Sequence, residues 1–181
     1  MKRSGIVILI CALLVCILAA CGKGKEKEEE PMMPTIPNPM SETDAEGLAQ
    51  ALGVSFNAVE GADDVTYYII DNKTAEMQFK RDDVKFNARV QAAVSFTDIS
   101  GMFFDWTSVE DCTIGGCEGK DMKYQNEAEV CLWFDAAPGL MYSLSANPDV
   151  SATDIAGADI IAVAEEIYNP MQGDSDGADE K

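Results

Sequence analysis

The sequence predicts an α+β fold: an antiparallel sheet of about six to seven strands, a C-terminal helix packed on one face, and a short N-terminal helix. Three observations carry this prediction. Between residues 65 and 146, consecutive segments alternate apolar and polar residues with period two. Short turns rich in Gly, Asn, Asp or Pro separate these segments. Apolar residues at helical spacing occur before and after the strand region, so neighbouring strands run antiparallel without intervening helices.

The first predicted element is the short helix, which precedes the strands. Ser41 or Thr43 can cap its N-terminus. Apolar residues then recur at helical spacing from Ala45 to Leu52, and Gly53 can end the helix in a left-handed conformation.

Seven segments have the character of strands. The clearest is 84–92, in which Val, Phe and Ala residues alternate with Lys, Asn, Arg and Gln. Periodicity is lost in 94–105, which we expect to be a connecting loop. The expected strands are 65–70, 74–80, 84–92, 106–113, 117–124, 128–135 and 140–146.

The last predicted element is a helix capped by Ser151 or Thr153. An apolar stripe runs from Ile155 to Ile167, and Asn169-Pro170 ends the pattern. We expect this stripe to cover the apolar face of the sheet.

The N-terminus resembles a lipoprotein signal peptide over residues 1–20. Two basic residues precede an apolar run, Ile6–Ala20, that is too short to span a bilayer as a helix. The run ends in Leu18–Cys21 (LAAC), which resembles the bacterial lipobox. That resemblance implies cleavage before Cys21 and lipidation of this cysteine. An uncleaved anchor with an incidental cysteine is the alternative.

Composition divides the remainder of the chain into three parts. Residues 21–40 contain the lipidated cysteine and a charged, proline-rich tether, since such a composition buries too little apolar surface to order itself. Residues 41–170 form an acidic domain, and 171–181 form a disordered acidic tail. The domain has 24 Asp and Glu against 7 Lys and Arg, a net charge of −17.

The charge balance excludes several classes of function. The whole chain has a net charge of −19 and no histidine. Nucleic-acid binding needs clustered Lys and Arg, which are absent from this sequence. Without histidine, neither a Ser-His-Asp triad nor a Cys-His pair can form. We therefore expect no enzyme activity, no cofactor and no catalytic residue.

The three cysteines of the domain leave two arrangements open. If a four-residue turn joins Cys112 to Cys117, the two face each other and can form a disulfide. If Gly115 and Gly116 alone form the turn, the two cysteines lie on a diagonal and are too far apart. Cys131 then remains a single thiol. Three thiols without histidine match a structural zinc site poorly, so we expect no metal site.

Four aromatic residues are candidates for a binding surface. An exposed patch of aromatic rings would suit contact with carbohydrate or protein. Ordinary packing in the core is the alternative. The candidates are Phe103, Phe104, Trp106 and Trp133.

Four segments, in this order along the chain, resemble a known group of proteins. They are 67–79 (YYIIDNKTAEMQF), 98–106 (DISGMFFDW), 131–146 (CLWFDAAPGLMYSLSA) and 162–169 (AVAEEIYN). Their order resembles that of the small uncharacterised lipoproteins of Gram-positive gut anaerobes that carry a domain of unknown function. The resemblance implies a surface lipoprotein with a sheet-and-helix domain and implies no activity. The cysteine cluster departs from the usual pattern.

These features predict a non-catalytic interaction module on the extracytoplasmic face of the cell membrane, anchored by a lipid on Cys21. Its partner would be an envelope protein, a wall component or a cation. The alternative is a lipoprotein that binds a small ligand and delivers it to a transporter. That alternative requires a cavity lined by apolar residues of 84–92 and 155–167.

Overall fold

A computed structural model describes residues 39–146, 155 and 158–170 of the chain. The segments predicted as signal peptide and acidic tail lie outside the described residues. So does Cys21 with the predicted tether, apart from the last two tether residues, Pro39 and Met40.

The described residues form eight strands and two helices. The strands are β1 (Met40–Thr43), β2 (Asp63–Ile70), β3 (Thr74–Arg81), β4 (Val84–Ala92), β5 (Ser108–Ile114), β6 (Cys117–Tyr124), β7 (Ala128–Asp135) and β8 (Leu140–Ala146). The helices are α1 (Ala45–Leu52), between β1 and β2, and α2 (Ile160–Ile167), after β8.

All eight strands belong to one antiparallel sheet with the order β1-β2-β3-β4-β8-β7-β6-β5. The sheet consists of two meanders, β1–β4 and β5–β8, that meet in the middle. There β4 pairs with β8, and Val90 lies opposite Tyr142. The connection from β4 to β5 therefore starts at the centre of the sheet and ends at one edge.

The predicted fold, a six- to seven-stranded sheet with a packed C-terminal helix, is wrong. The described chain is mostly one eight-stranded sheet accompanied by two eight-residue helices. The missed strand is β1, whose short sequence Met-Ser-Glu-Thr has no readable period. It forms because it pairs with β2, where Ser41 lies opposite Ile69.

The first helix has the predicted bounds, but its predicted caps are wrong, and Ser151 and Thr153, the caps predicted for the last helix, lie outside the described residues. Ser41 and Thr43 belong to β1, and Asp44 caps α1 by accepting a hydrogen bond of 2.7 Å from the backbone N–H of Gly47. Asp159 caps α2 in the same way. Ile155 is buried and is not helical, so the first residue of the predicted apolar stripe precedes α2.

The larger core lies on one face of the sheet, which we call the helix face. Apolar side chains of β3, β4, β7 and β8 contact Leu48 of α1 and the buried side of α2. Trp133 and Tyr142 stack at its centre with ring centroids 5.1 Å apart. The buried residues of α2 are Ile160, Val163, Ala164 and Ile167.

The smaller core lies on the opposite face, which we call the loop face. Its sheet residues include Val130 and Leu132 of β7 and Met141 of β8. The β4–β5 connection, residues 93–107, covers them with the buried side chain of Met102. The sheet is therefore covered by helices on one side and by this loop on the other.

Candidate functional site: the Phe96 loop and the thiol–carboxylate strip

The loop 93–107 is held at both ends by hydrogen bonds between backbone groups. The N–H of Ala93 donates to the carbonyl of Gly139 at 2.8 Å, and the N–H of Thr107 donates to Lys123 at 2.8 Å. Such bonds satisfy backbone groups that lie outside the sheet ladder. The loop therefore has a defined path across the loop face.

Arg89 of β4 holds the middle of this loop. Its Nη1 donates to the carbonyl of Ser100 at 2.6 Å and to that of Ile99 at 3.2 Å. Its Nε donates to Glu76 Oε2 at 2.6 Å, and Glu76 is 1% exposed. The guanidinium thus connects a buried carboxylate on the sheet to the loop above it.

Gly101 is required by the same contact. Its φ is +73°, a left-handed conformation that favours glycine. A Cβ atom at this position would lie 2.6 Å from Nη1 of Arg89. Any larger residue would therefore displace the guanidinium or the loop.

The loop exposes apolar side chains to solvent. Phe103 is 95% exposed and Phe96 is 42% exposed, although both lie in the ordered connection. Phe104 and Trp106 are half-buried, and the Phe104 ring lies 4.9 Å from the ring of Tyr124. Trp133 is fully buried on the helix face. The four predicted aromatic residues are therefore not brought together into one patch.

Two open grooves lie beside Phe96, and we call them the Phe96 grooves. The first, of about 550 Å³, runs along the β5–β6 hairpin; the second, of about 400 Å³, reaches the end of β7. Phe96 and Glu118 line both grooves. Asp111 lines the first and forms an ion pair with Lys120. The grooves therefore combine an aromatic ring with acidic side chains, and Lys120 also lines the first groove.

On the helix face, the hairpin has a two-residue turn. Ile114 pairs with Cys117, and Cys112 pairs with Gly119. Gly115 and Gly116 alone therefore form the turn. Cys112 and Cys117 lie on a diagonal, which is the second of the two predicted arrangements, and they do not face each other. All three cysteines of the described residues are free thiols. Among these, the thiol closest to Cys112 is that of Cys131, with the two Sγ atoms 3.8 Å apart.

Gly119 opens the space between these two thiols. A Cβ atom on Gly119 would lie 2.9 Å from Cys112 Sγ and 3.3 Å from the Cβ of Trp133. Because Gly119 lacks a side chain, Cys112 of β5 can reach across β6 to Cys131 of β7. Burial raises the pKa of both thiols above the ordinary range.

A buried carboxylate pair lies next to the thiols, where Asp121 pairs with Cys131 in the register of β6 and β7. Lys123 Nζ lies 2.9 Å from Glu129 Oε1 and 3.2 Å from Asp121 Oδ2. Burial, opposed in part by Lys123, raises the pKa of Glu129. Oδ1 of Asp121 is buried and has no hydrogen-bond partner. One strip of the helix face thus contains two thiols and two carboxyl groups.

The other end of the strip is closed by Tyr168, which follows α2. Its hydroxyl donates to Asp135 Oδ2 at 2.6 Å and lies 3.4 Å from Cys117 Sγ. Its ring packs edge-on against Trp133. Cys117 is therefore engaged by the tyrosine, apart from the pair formed by Cys112 and Cys131.

Within residues 39–146, 155 and 158–170, no three Cys, Asp or Glu side chains are arranged to hold one metal ion. The same residues contain no helix of the length and hydropathy that a membrane span requires. The chain matches no family model, no curated protein and no solved structure at a significant level.

The first prediction concerns the Arg89–Glu76 ion pair. Replacing Glu76 with Leu should lower the free energy of unfolding by about 3–5 kcal/mol, because the guanidinium loses its buried partner. The double variant Glu76→Leu with Arg89→Met should recover part of this loss. Urea unfolding followed by circular dichroism measures both. A double variant as unstable as the single one would contradict the buried pair.

The second prediction concerns the pH dependence caused by Glu129. A raised pKa means that Glu129 binds its proton more tightly in the folded state than in the unfolded chain. The stability gained from protonated Glu129 is therefore lost as pH rises through the folded-state pKa. Glu129→Gln should therefore stabilise the protein more, relative to wild type, at pH 8 than at pH 4. Urea midpoints at both pH values test this, and exposed Glu127→Gln is the control. Equal differences at the two pH values would refute the assignment.

Proposed function

We propose that the protein is a membrane-anchored, extracytoplasmic lipoprotein whose domain is a non-catalytic binding module. A lipid on Cys21 would hold it at the cell membrane, as the lipobox-like sequence Leu18–Cys21 implies. The resemblance to small lipoproteins of gut anaerobes points the same way and remains a prediction. Nucleic acid is an unsuitable partner for a domain with a net charge of −17.

The observation that carries the binding proposal is the pair of Phe96 grooves. A buried ion pair holds a long loop in place, and that loop presents a half-exposed phenylalanine between two grooves that share Glu118, the first of which also contains the Asp111–Lys120 ion pair. Asp111 has an 85% exposed side chain and Glu118 lines both grooves. Lys and Arg are the complementary charges, and an apolar side chain suits Phe96. The proposed partner is a protein segment with basic residues around an apolar one.

Packing on the helix face favours the proposal of a binding surface and argues against the alternative of an internal ligand cavity. The alternative, delivery of a small ligand to a transporter, needs space between β4 and the C-terminal region. Instead Phe86, Ala88 and Val90 of β4 are buried in the same core as Ile160 and Val163, each at most 2% exposed. The residues that would line a cargo cavity are therefore packed together.

The third prediction tests the lipid anchor. Cys21→Ser should abolish incorporation of a labelled fatty acid and release the protein from membranes or leave it unprocessed. The labelled protein is detected after immunoprecipitation from cells that express the full chain. Cys112→Ser, which changes a domain thiol, should label like wild type. Unchanged labelling of Cys21→Ser would overturn the anchor.

The fourth prediction tests the Phe96 grooves with a defined probe, a fluorescent lysine–phenylalanine–lysine peptide. Phe96→Ser should weaken binding about tenfold, because an apolar contact worth about 1.4 kcal/mol is lost. Phe103→Ser is the matched control, since Phe103 lies in the same loop and does not line the grooves. Fluorescence polarisation measures binding to the full chain in detergent.

Two results would contradict this assignment. One is a glutamate–phenylalanine–glutamate peptide that binds as tightly as the lysine peptide, since the acidic walls would then have no role. The other is equal loss of binding in Phe96→Ser and Phe103→Ser. Rising salt should weaken the lysine peptide, because exposed charges are screened.

A further inference from the structure

We propose that Cys112 and Cys131 form a two-thiolate binding site for monovalent copper. The two Sγ atoms lie 3.8 Å apart on the helix face, although β5 and β7 are separated by β6. Gly119 creates the opening that permits this contact.

A disulfide does not suit this position. Neighbouring strands are about 4.8 Å apart, so backbones two strands apart are separated by roughly 9–10 Å. A disulfide needs Cα atoms within about 7 Å, so closing the bond would require the sheet to move. Cys112 and Cys131 therefore remain two neighbouring thiols even where other exported cysteines are oxidised.

A metal ion removes this geometric obstacle, because it adds two bonds between the sulfur atoms. Metal–thiolate bonds of about 2.3 Å place two sulfur ligands roughly 3.8 Å apart at a tetrahedral angle and about 4.6 Å apart when linear. The observed 3.8 Å is about 0.8 Å shorter than the linear spacing, which two ligands favour, so the thiols must move apart slightly to hold the ion. Cys112 is only half-buried, so its side chain can turn to adjust the distance.

The number and type of ligands select the ion. Zinc requires four ligands, and the described residues gather no third one. Calcium and magnesium prefer oxygen ligands. Soft thiolates select Cu(I), which accepts two ligands. Both thiols release a proton to solvent on binding, the copper keeps its oxidation state, and a bis-thiolate complex forms.

The surroundings shelter the Cys131 side of a bound cation from water, while half-buried Cys112 gives the ion a route to the site from the first groove. Cys131 is fully buried and belongs to the same core as Trp133. An apolar shell limits the access of solvent and oxidants to a bound ion. Asp121, opposite Cys131, presents a buried carboxylate oxygen without a hydrogen-bond partner, which attracts a cation toward the thiols.

The experiment uses the full chain in detergent with Cys11, Cys16 and Cys21 replaced by serine, so that the three domain thiols remain. Cu(I) is added without oxygen in competition with the chromophore bicinchoninate. The chain should remove one equivalent of copper from the chromophore. Cys112→Ser should weaken this competition more than about a hundredfold, since even outer-shell partners change metal affinity by 10–100-fold.

Cys117→Ser is the matched control, because Cys117 contacts Tyr168 and not the other thiols. It should bind copper like the parent chain. Cys131→Ala should lose binding as Cys112→Ser does, with folding checked by circular dichroism. Failure of the parent chain to compete, or equal binding by all three variants, would overturn the site. So would a Cys112–Cys131 disulfide detected by mass spectrometry after exposure to air.

Discussion

The pairing of β4 with β8 is the constraint on which the rest of the structure depends. These strands are more than 45 residues apart in the chain, yet their register continues from Phe86–Ala146 to Ala92–Leu140. This pairing joins two meanders into one sheet and makes β4 an interior strand. The chain leaving β4 must then cross the sheet to reach β5 at the edge. The loop face and its grooves are consequences of that crossing.

The ion pair of Arg89 and Glu76 shows how the crossing is held. Burying charged groups costs free energy, and a buried pair often contributes little net stability compared with apolar packing. The guanidinium fixes the position of the loop, because Nη1 of Arg89 donates hydrogen bonds to the carbonyls of Ile99 and Ser100. The loop is thereby fixed at its middle as well as at its ends. A fixed loop can present Phe96 without the entropic cost of ordering it on binding.

Local patterns in the sequence predicted most of the strands and little of the site. Strands such as 84–92 and 128–135 have the predicted bounds, because alternation is a local signal. β1 was missed because its four residues become a strand only through pairing with β2. The six- to seven-stranded fold was wrong for the same reason. The contact of Cys112 with Cys131 depends on Gly119 and on the order of three strands, which local patterns do not encode.

The position of β1 has a mechanical consequence. β1 is one edge of the sheet and β5 is the other, so the chain enters the domain at the edge opposite the β5–β6 hairpin. With an anchor at Cys21, a pulling force on the domain would act first on the four residue pairs that join β1 to β2. These pairs can peel away while the seven remaining strands keep their ladders. β1 is thus the part of the described sheet that such a force would separate first, and the β5–β6 hairpin at the opposite edge would be among the last.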